Sequence, residues 1–119
     1  MSDHVAFVFD PAHFAVEATS IDGTTTVRLV GELDMATAPE LRRTLDAALE
    51  ARPARLSIDL RELTFTDSTG LRELVSASRR ADRCGCSFTL RFPRRSVLKA
   101  LRLTGFDQLL DIEVEGVEA

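Results

Sequence analysis

Leu63-Thr64-Phe65-Thr66-Asp67-Ser68-Thr69-Gly70-Leu71 joins a short apolar run to an amphipathic helix, and its reading decides the class of fold. After it, Leu71, Leu74, Val75 and Ser78 recur at helical spacing to about Arg83, the stripe of a helix lying on a core. Before it, residues 55–60 alternate Leu56, Ile58 and Leu60 with polar residues, which predicts a strand with one covered face. A strand that feeds a helix in this way is the repeating unit of an α/β sheet.

The same alternation extends outward on both sides. Upstream, residues 14–19 (F-A-V-E-A-T) and 24–31 (T-T-T-V-R-L-V-G) read as strands joined by Ser20-Ile21-Asp22-Gly23. Asp-Gly at that point is a strong hairpin signal, because both turn positions need positive φ. Thr25, Val27 and Leu29 then share one face, and Thr26, Arg28 and Val30 the other. Residues 5–9 offer an additional edge strand. Thr37-Ala38-Pro39-Glu40 matches a capping box with proline in the first turn, and Leu41, Leu45, Ala48 and Leu49 fall on one helical face that ends before Pro53. Downstream, residues 87–92 (S-F-T-L-R-F) alternate as a strand. Residues 96–103 form a short helix with Val97, Leu98 and Leu101 inward, and Gly105 stands where a C-terminal helix glycine belongs. Ile112 and Val114 fit a last short strand, and the acidic residues past Glu115 are expected to fray. The expectation is a single-domain α/β fold: an N-terminal hairpin, then a mixed sheet of four to five strands with helices packed on it.

Composition bounds what such a fold does. The chain has 119 residues, 45% hydrophobic and 29% charged, which suits one core and argues against disorder. No apolar run reaches the ~20 residues needed to span a bilayer. Residues 1–10 show neither a basic segment nor a long apolar one, so no signal peptide is expected and the location expected is cytoplasmic. Net charge is −4, yet residues 72–102 carry nine cations against Glu73 and Asp82. The acidic total favours solvated faces over a nucleic-acid patch. Cys84 and Cys86, separated by one glycine, are poorly spaced for an unstrained disulfide. With His4 and His13 the only histidines, no metal site and no cofactor are expected.

Chemistry concentrates at Asp67-Ser68-Thr69. Three capping-type residues in a row exceed what one N-cap requires, and Gly70 leaves room for close approach of another surface. A negative group on the Ser68 oxygen would meet unpaired backbone N–H groups and the positive end of a helix, an arrangement that tolerates phosphate. Spacing alone leaves two readings open: an ordinary capped helix with a spare hydroxyl, or a phosphoacceptor. Catalysis by Ser68 is disfavoured. Position 66 is threonine where a nucleophile elbow has glycine, both histidines lie in the first thirteen residues, and no Gly-rich loop ends in Gly-Lys-Ser/Thr. No enzymatic activity is expected.

Asp67-Ser68-Thr69-Gly70-Leu71, preceded by Phe65, resembles the signature of the STAS domain of bacterial anti-sigma-factor antagonists. Gly31-Glu32-Leu33-Asp34 matches that family's other marker. The resemblance covers residues 14–114 as a STAS domain, with 1–13 as an extension or edge strand and 115–119 as a tail. It implies that Ser68 is the phosphoacceptor, with Thr69 where many relatives have serine, and that Asp34 is the strand-end aspartate beside it. It further implies that the unphosphorylated form binds a kinase-type (GHKL) anti-sigma factor and releases the sigma factor, and that a PP2C-type phosphatase reverses the modification. The partner surface implied is Asp34, Met35, Asp67, Ser68, Thr69, Gly70, Leu71 and Arg72, with Met35 and Leu71 as candidate apolar contacts, although core packing suits Leu71 at least as well. Arg72 and Arg79 either meet an acidic surface or face solvent. Neither nucleic acid nor membrane is an expected partner. The alternative is a STAS domain that is never phosphorylated and serves as an accessory part of a lipid-transport or sensory assembly.

Overall fold

The computed structural model describes residues 2–9 and 13–114. Strands β1 (Ser2–Phe9), β2 (Phe14–Ile21) and β3 (Thr24–Leu33) form an antiparallel meander. Strands β4 (Arg55–Thr66), β5 (Ser87–Arg91) and β6 (Ile112–Glu113) continue the sheet parallel to β3. Helices α1 (Ala38–Glu50), α2 (Ser68–Arg83) and α3 (Arg95–Thr104) are the crossovers between parallel strands, the last followed by a 3-10 turn at Phe106–Leu109. The strand order is β1-β2-β3-β4-β5-β6. Three crossovers step the same way along the sheet, and their helices share one core with it. The expected edge strand at residues 5–9 falls within β1, whereas the expected fraying tail at 115–119 lies outside the described residues.

One core joins the layers. Val27, Leu29, Leu56 and Ile58 of the sheet meet Leu41 and Leu45 of α1, Leu71 and Leu74 of α2, and Val97 and Leu101 of α3. Each fully buried leucine contributes roughly 1.5–3 kcal/mol relative to an exposed one. Among the described residues, the opposite face of the sheet carries charged pairs, with Arg28 reaching Glu17 at 3.3 Å and Glu62 at 2.6 Å. The β2–β3 turn has positive φ at both Asp22 and Gly23, as a tight hairpin requires. Cys84 and Cys86 are free thiols, the first exposed and the second buried.

Two features depart from the sequence reading. Strand β4 runs on to Thr66, so the apolar run before Asp67 is strand rather than joint. Its register with β3 shifts twice, between Arg28 and Val30 and between Gly31 and Glu32. Each shift adds one residue to β4, so that Leu60, Leu63 and Thr66 are all buried although three apart. The second departure is the start of α1. Thr37 is the N-cap residue, but its side chain caps no helix N–H. Its hydroxyl accepts the amide of Asp34 at 2.9 Å instead, while the Asp34 carboxylate accepts the amides of Ala36 and Thr37. The capping box is therefore absent: the Thr37 hydroxyl is engaged by Asp34, and the Glu40 amide donates to the Thr37 carbonyl at 3.1 Å.

Candidate functional site

Leu33 and Thr66 are register partners at the ends of β3 and β4. That pairing brings Asp34 and Asp67, 33 positions apart in sequence, to adjacent strand ends. The amide of Asp67 donates to the Leu33 carbonyl at 3.2 Å. One Asp67 carboxylate oxygen then accepts from the Gly70 amide at 2.9 Å and caps α2, and the other accepts from the Met35 amide at 3.1 Å. One side chain thus starts a helix and ties down the neighbouring loop.

Because Asp67 supplies the cap, the Ser68 hydroxyl is not needed for that purpose. Ser68 is the first residue of α2 and is exposed. Beside it Met35 is 72% exposed and Phe65 49% exposed. Met35, Ala38, Pro39, Arg42, Thr69 and Arg72 line a shallow groove between the starts of α1 and α2. An exposed hydroxyl at a helix N-terminus, flanked by apolar side chains, can be reached by a docking protein and can carry phosphate without disturbing the core.

The structure brings six of the eight expected contact residues, Asp34, Met35, Asp67, Ser68, Thr69 and Arg72, to or near this surface. Two it does not. Leu71 is 1% exposed and belongs to the core, because the face of α2 that carries Leu74 and Ala77 also carries Leu71. Gly70 is buried as well, and the surface that approaches it closely is the protein's own. A Cβ there would lie 2.5 Å from Thr66 Oγ1 and 2.7 Å from Leu33 Cγ. Gly70 therefore lets α2 seat on the strand ends and is not open to a partner.

A third strand end completes the site. His13, just before β2, places Nε2 3.2 Å from Asp34 Oδ2 and 3.7 Å from Glu32 Oε1. The hydrogen bond from His13, with those from the Thr37 and Ala36 amides, holds the Asp34 carboxyl below its ordinary range. The sequence reading gave His13 no role in the site. The signal was present in the hairpin, whose register pairs Ile21 with Thr24 and, counted back, Phe14 with Gly31. Gly31 has φ +103°, and a Cβ there would sit 2.1 Å from the His13 carbonyl oxygen, so only glycine allows this crossing. The start of α1 at Ala38, Pro39 and Arg42, which lines the groove, was also missed, since its place beside α2 is a tertiary fact.

A family model described as the Mlab-type STAS domain matches residues 17–111. The chain is 30% identical over 89 residues to the anti-sigma-B factor antagonist of Bacillus subtilis, covering 75% of this chain and 81% of that protein. It superposes with a TM-score of 0.79 on an anti-sigma factor antagonist from Mycobacterium paratuberculosis, at 26% identity and 91% coverage of both chains. A putative anti-sigma factor antagonist from Thermotoga maritima superposes with a TM-score of 0.75, at 21% identity over 84% of this chain and 86% of that one.

Proposed function

The chain belongs to the STAS-domain family of anti-sigma-factor antagonists, and from that premise we propose that it is a phosphorylation-controlled binding module whose switch is Ser68. The module spans residues 14–114. Unphosphorylated, it binds a kinase-type anti-sigma factor through Met35, Phe65, Ser68 and the groove between α1 and α2, and so frees a sigma factor. The observation that carries this reading is the exposure of Ser68 at the first position of α2, where the cap is already supplied by Asp67.

Phosphorylation adds about −1.5 to −2 charges to a surface that already holds Asp34 and Asp67. A unit-charge pair about 8 Å apart at an effective dielectric of ~20 interacts by roughly 2 kcal/mol. Against a partner carboxylate or a packed apolar contact, the phosphate weakens binding by about 2–4 kcal/mol, or roughly thirtyfold to several hundredfold. The fold survives, because the charge arrives at the positive end of α2 and one helical turn from Arg72.

The transfer chemistry is the partner's. ATP and magnesium belong to the kinase, a GHKL-type enzyme, while this chain presents a hydroxyl and carries out no catalysis of its own. A PP2C-type phosphatase restores binding. Incubation with the cognate kinase and ATP, followed by mass spectrometry, tests the proposal. A single phosphate on Ser68, lost in Ser68→Ala while kinase binding is kept, is the expected result. Modification of Thr69 alone, or of no residue, overturns it and favours an accessory subunit that is never phosphorylated.

A further inference from the structure

Glu32 and Asp34, two residues apart near the end of β3, turn carboxylate oxygens toward the same imidazole. The ligand atoms of His13, Glu32 and Asp34 all lie within 4.8 Å of one another. Two donors each about 2.1 Å from a tetrahedrally coordinated ion stand about 3.4 Å apart. The His13–Asp34 distance of 3.2 Å and the His13–Glu32 distance of 3.7 Å bracket that value. The remaining Glu32–Asp34 gap closes by rotation of Glu32, whose side chain is half exposed.

The donors are also held in place. The Glu32 amide donates to the His13 carbonyl at 2.9 Å, across the space that Gly31 leaves open. Asp34 Oδ1 is occupied by the amides of Ala36 and Thr37, which leaves Oδ2 directed at the imidazole. Backbone bonds of this kind to a ligating carboxylate fix its orientation and raise metal affinity.

We propose that His13, Glu32 and Asp34 form a binding site for a divalent first-row transition-metal cation such as zinc. One nitrogen and two carboxylate oxygens suit such an ion better than magnesium or calcium, which favour all-oxygen sets. Two carboxylates and an imidazole, which ligates in its neutral form, leave negative charge for the cation to neutralise. Partial exposure of all three side chains leaves room for water to complete the coordination. Bound there, the ion ties the chain entering β2 to the end of β3, next to the loop that carries Met35. The site stands independently of Ser68 phosphorylation, so either proposal can fail without the other.

The full chain titrated with manganese chloride and followed by 15N-correlated NMR tests it. Paramagnetic broadening is expected to centre on the amides of residues 13, 32, 34 and 36. Calorimetric titration with zinc chloride should give one equivalent, weakened about tenfold or more in both His13→Ala and Glu32→Gln and unchanged in Cys84→Ser. Circular dichroism establishes that each variant is folded, and the half-exposed Glu32 gives a variant with little bearing on the core. Broadening centred on Cys84 or on the C-terminal acids, no saturable binding below millimolar metal, or equal affinity in a folded Glu32→Gln chain overturns the proposal.

Discussion

The Asp67 carboxylate accepts the amide of Met35 at 3.1 Å across two strand ends, and its other oxygen caps α2 through Gly70. The most exposed apolar side chain of the site is therefore positioned by the residue before the serine. Asp67→Ala removes both bonds and should cost about 0.5–2 kcal/mol in urea denaturation. Asp67→Asn keeps an acceptor for the cap and should lose less. Equal losses in the two variants would show that charge, rather than the cap, dominates.

Ser68 makes no contribution to the cap, so Ser68→Ala should change stability by less than about 0.5 kcal/mol. Ser68→Glu should leave Tm close to wild type and weaken partner binding at least tenfold, read by titration calorimetry with the kinase. A large fall in Tm would show the hydroxyl to be structural.

Gly70→Ala sets two effects against each other. Alanine gains about 1 kcal/mol of helix propensity over glycine, but its Cβ meets Thr66 Oγ1 at 2.5 Å and Leu33 Cγ at 2.7 Å. Overpacking against two buried residues should win, for a net loss of about 1–3 kcal/mol. Weaker partner binding should accompany it, since α2 and Ser68 must shift outward. A stability equal to or above wild type would show that the strand ends yield easily.

His13 is the main cause of the lowered Asp34 pKa. A carboxyl depressed on folding contributes stability above its unfolded pKa, about 3.9, and loses that contribution as pH falls through the lower folded value. In His13→Ala the Asp34 carboxyl should titrate closer to the ordinary range, as followed by carboxyl 13C shifts. The acid limb of the stability curve should correspondingly lose its Asp34 component. An unmoved Asp34 titration would assign the depression to the Ala36 and Thr37 amides instead.

Most elements were legible in sequence because their periods are local. The hairpin rests on Asp22-Gly23, α1 on Leu41, Leu45 and Leu49, and the end of α3 on Gly105. The end of β4 was not legible, because its two bulges place Leu60, Leu63 and Thr66 three apart on one face, which a period of two does not register. Gly70 stands among the implied partner contacts, and Leu71 stands between contact and core, since the exposure of both depends on where α2 lands. Thr37 fits a capping pattern, but its hydroxyl accepts the Asp34 amide instead, and nothing in either residue alone reveals which of two competing donors wins.

Every strand of the sheet lies beside its predecessor in the chain. No strand has to thread between two already paired, so each segment finds its docking edge prepared as it leaves the ribosome. Sheet growth can keep pace with translation, with little closure entropy left for the final segments. The Asp34 loop is complete before the serine helix is made, which means the cap at Asp67 forms against a surface that already exists.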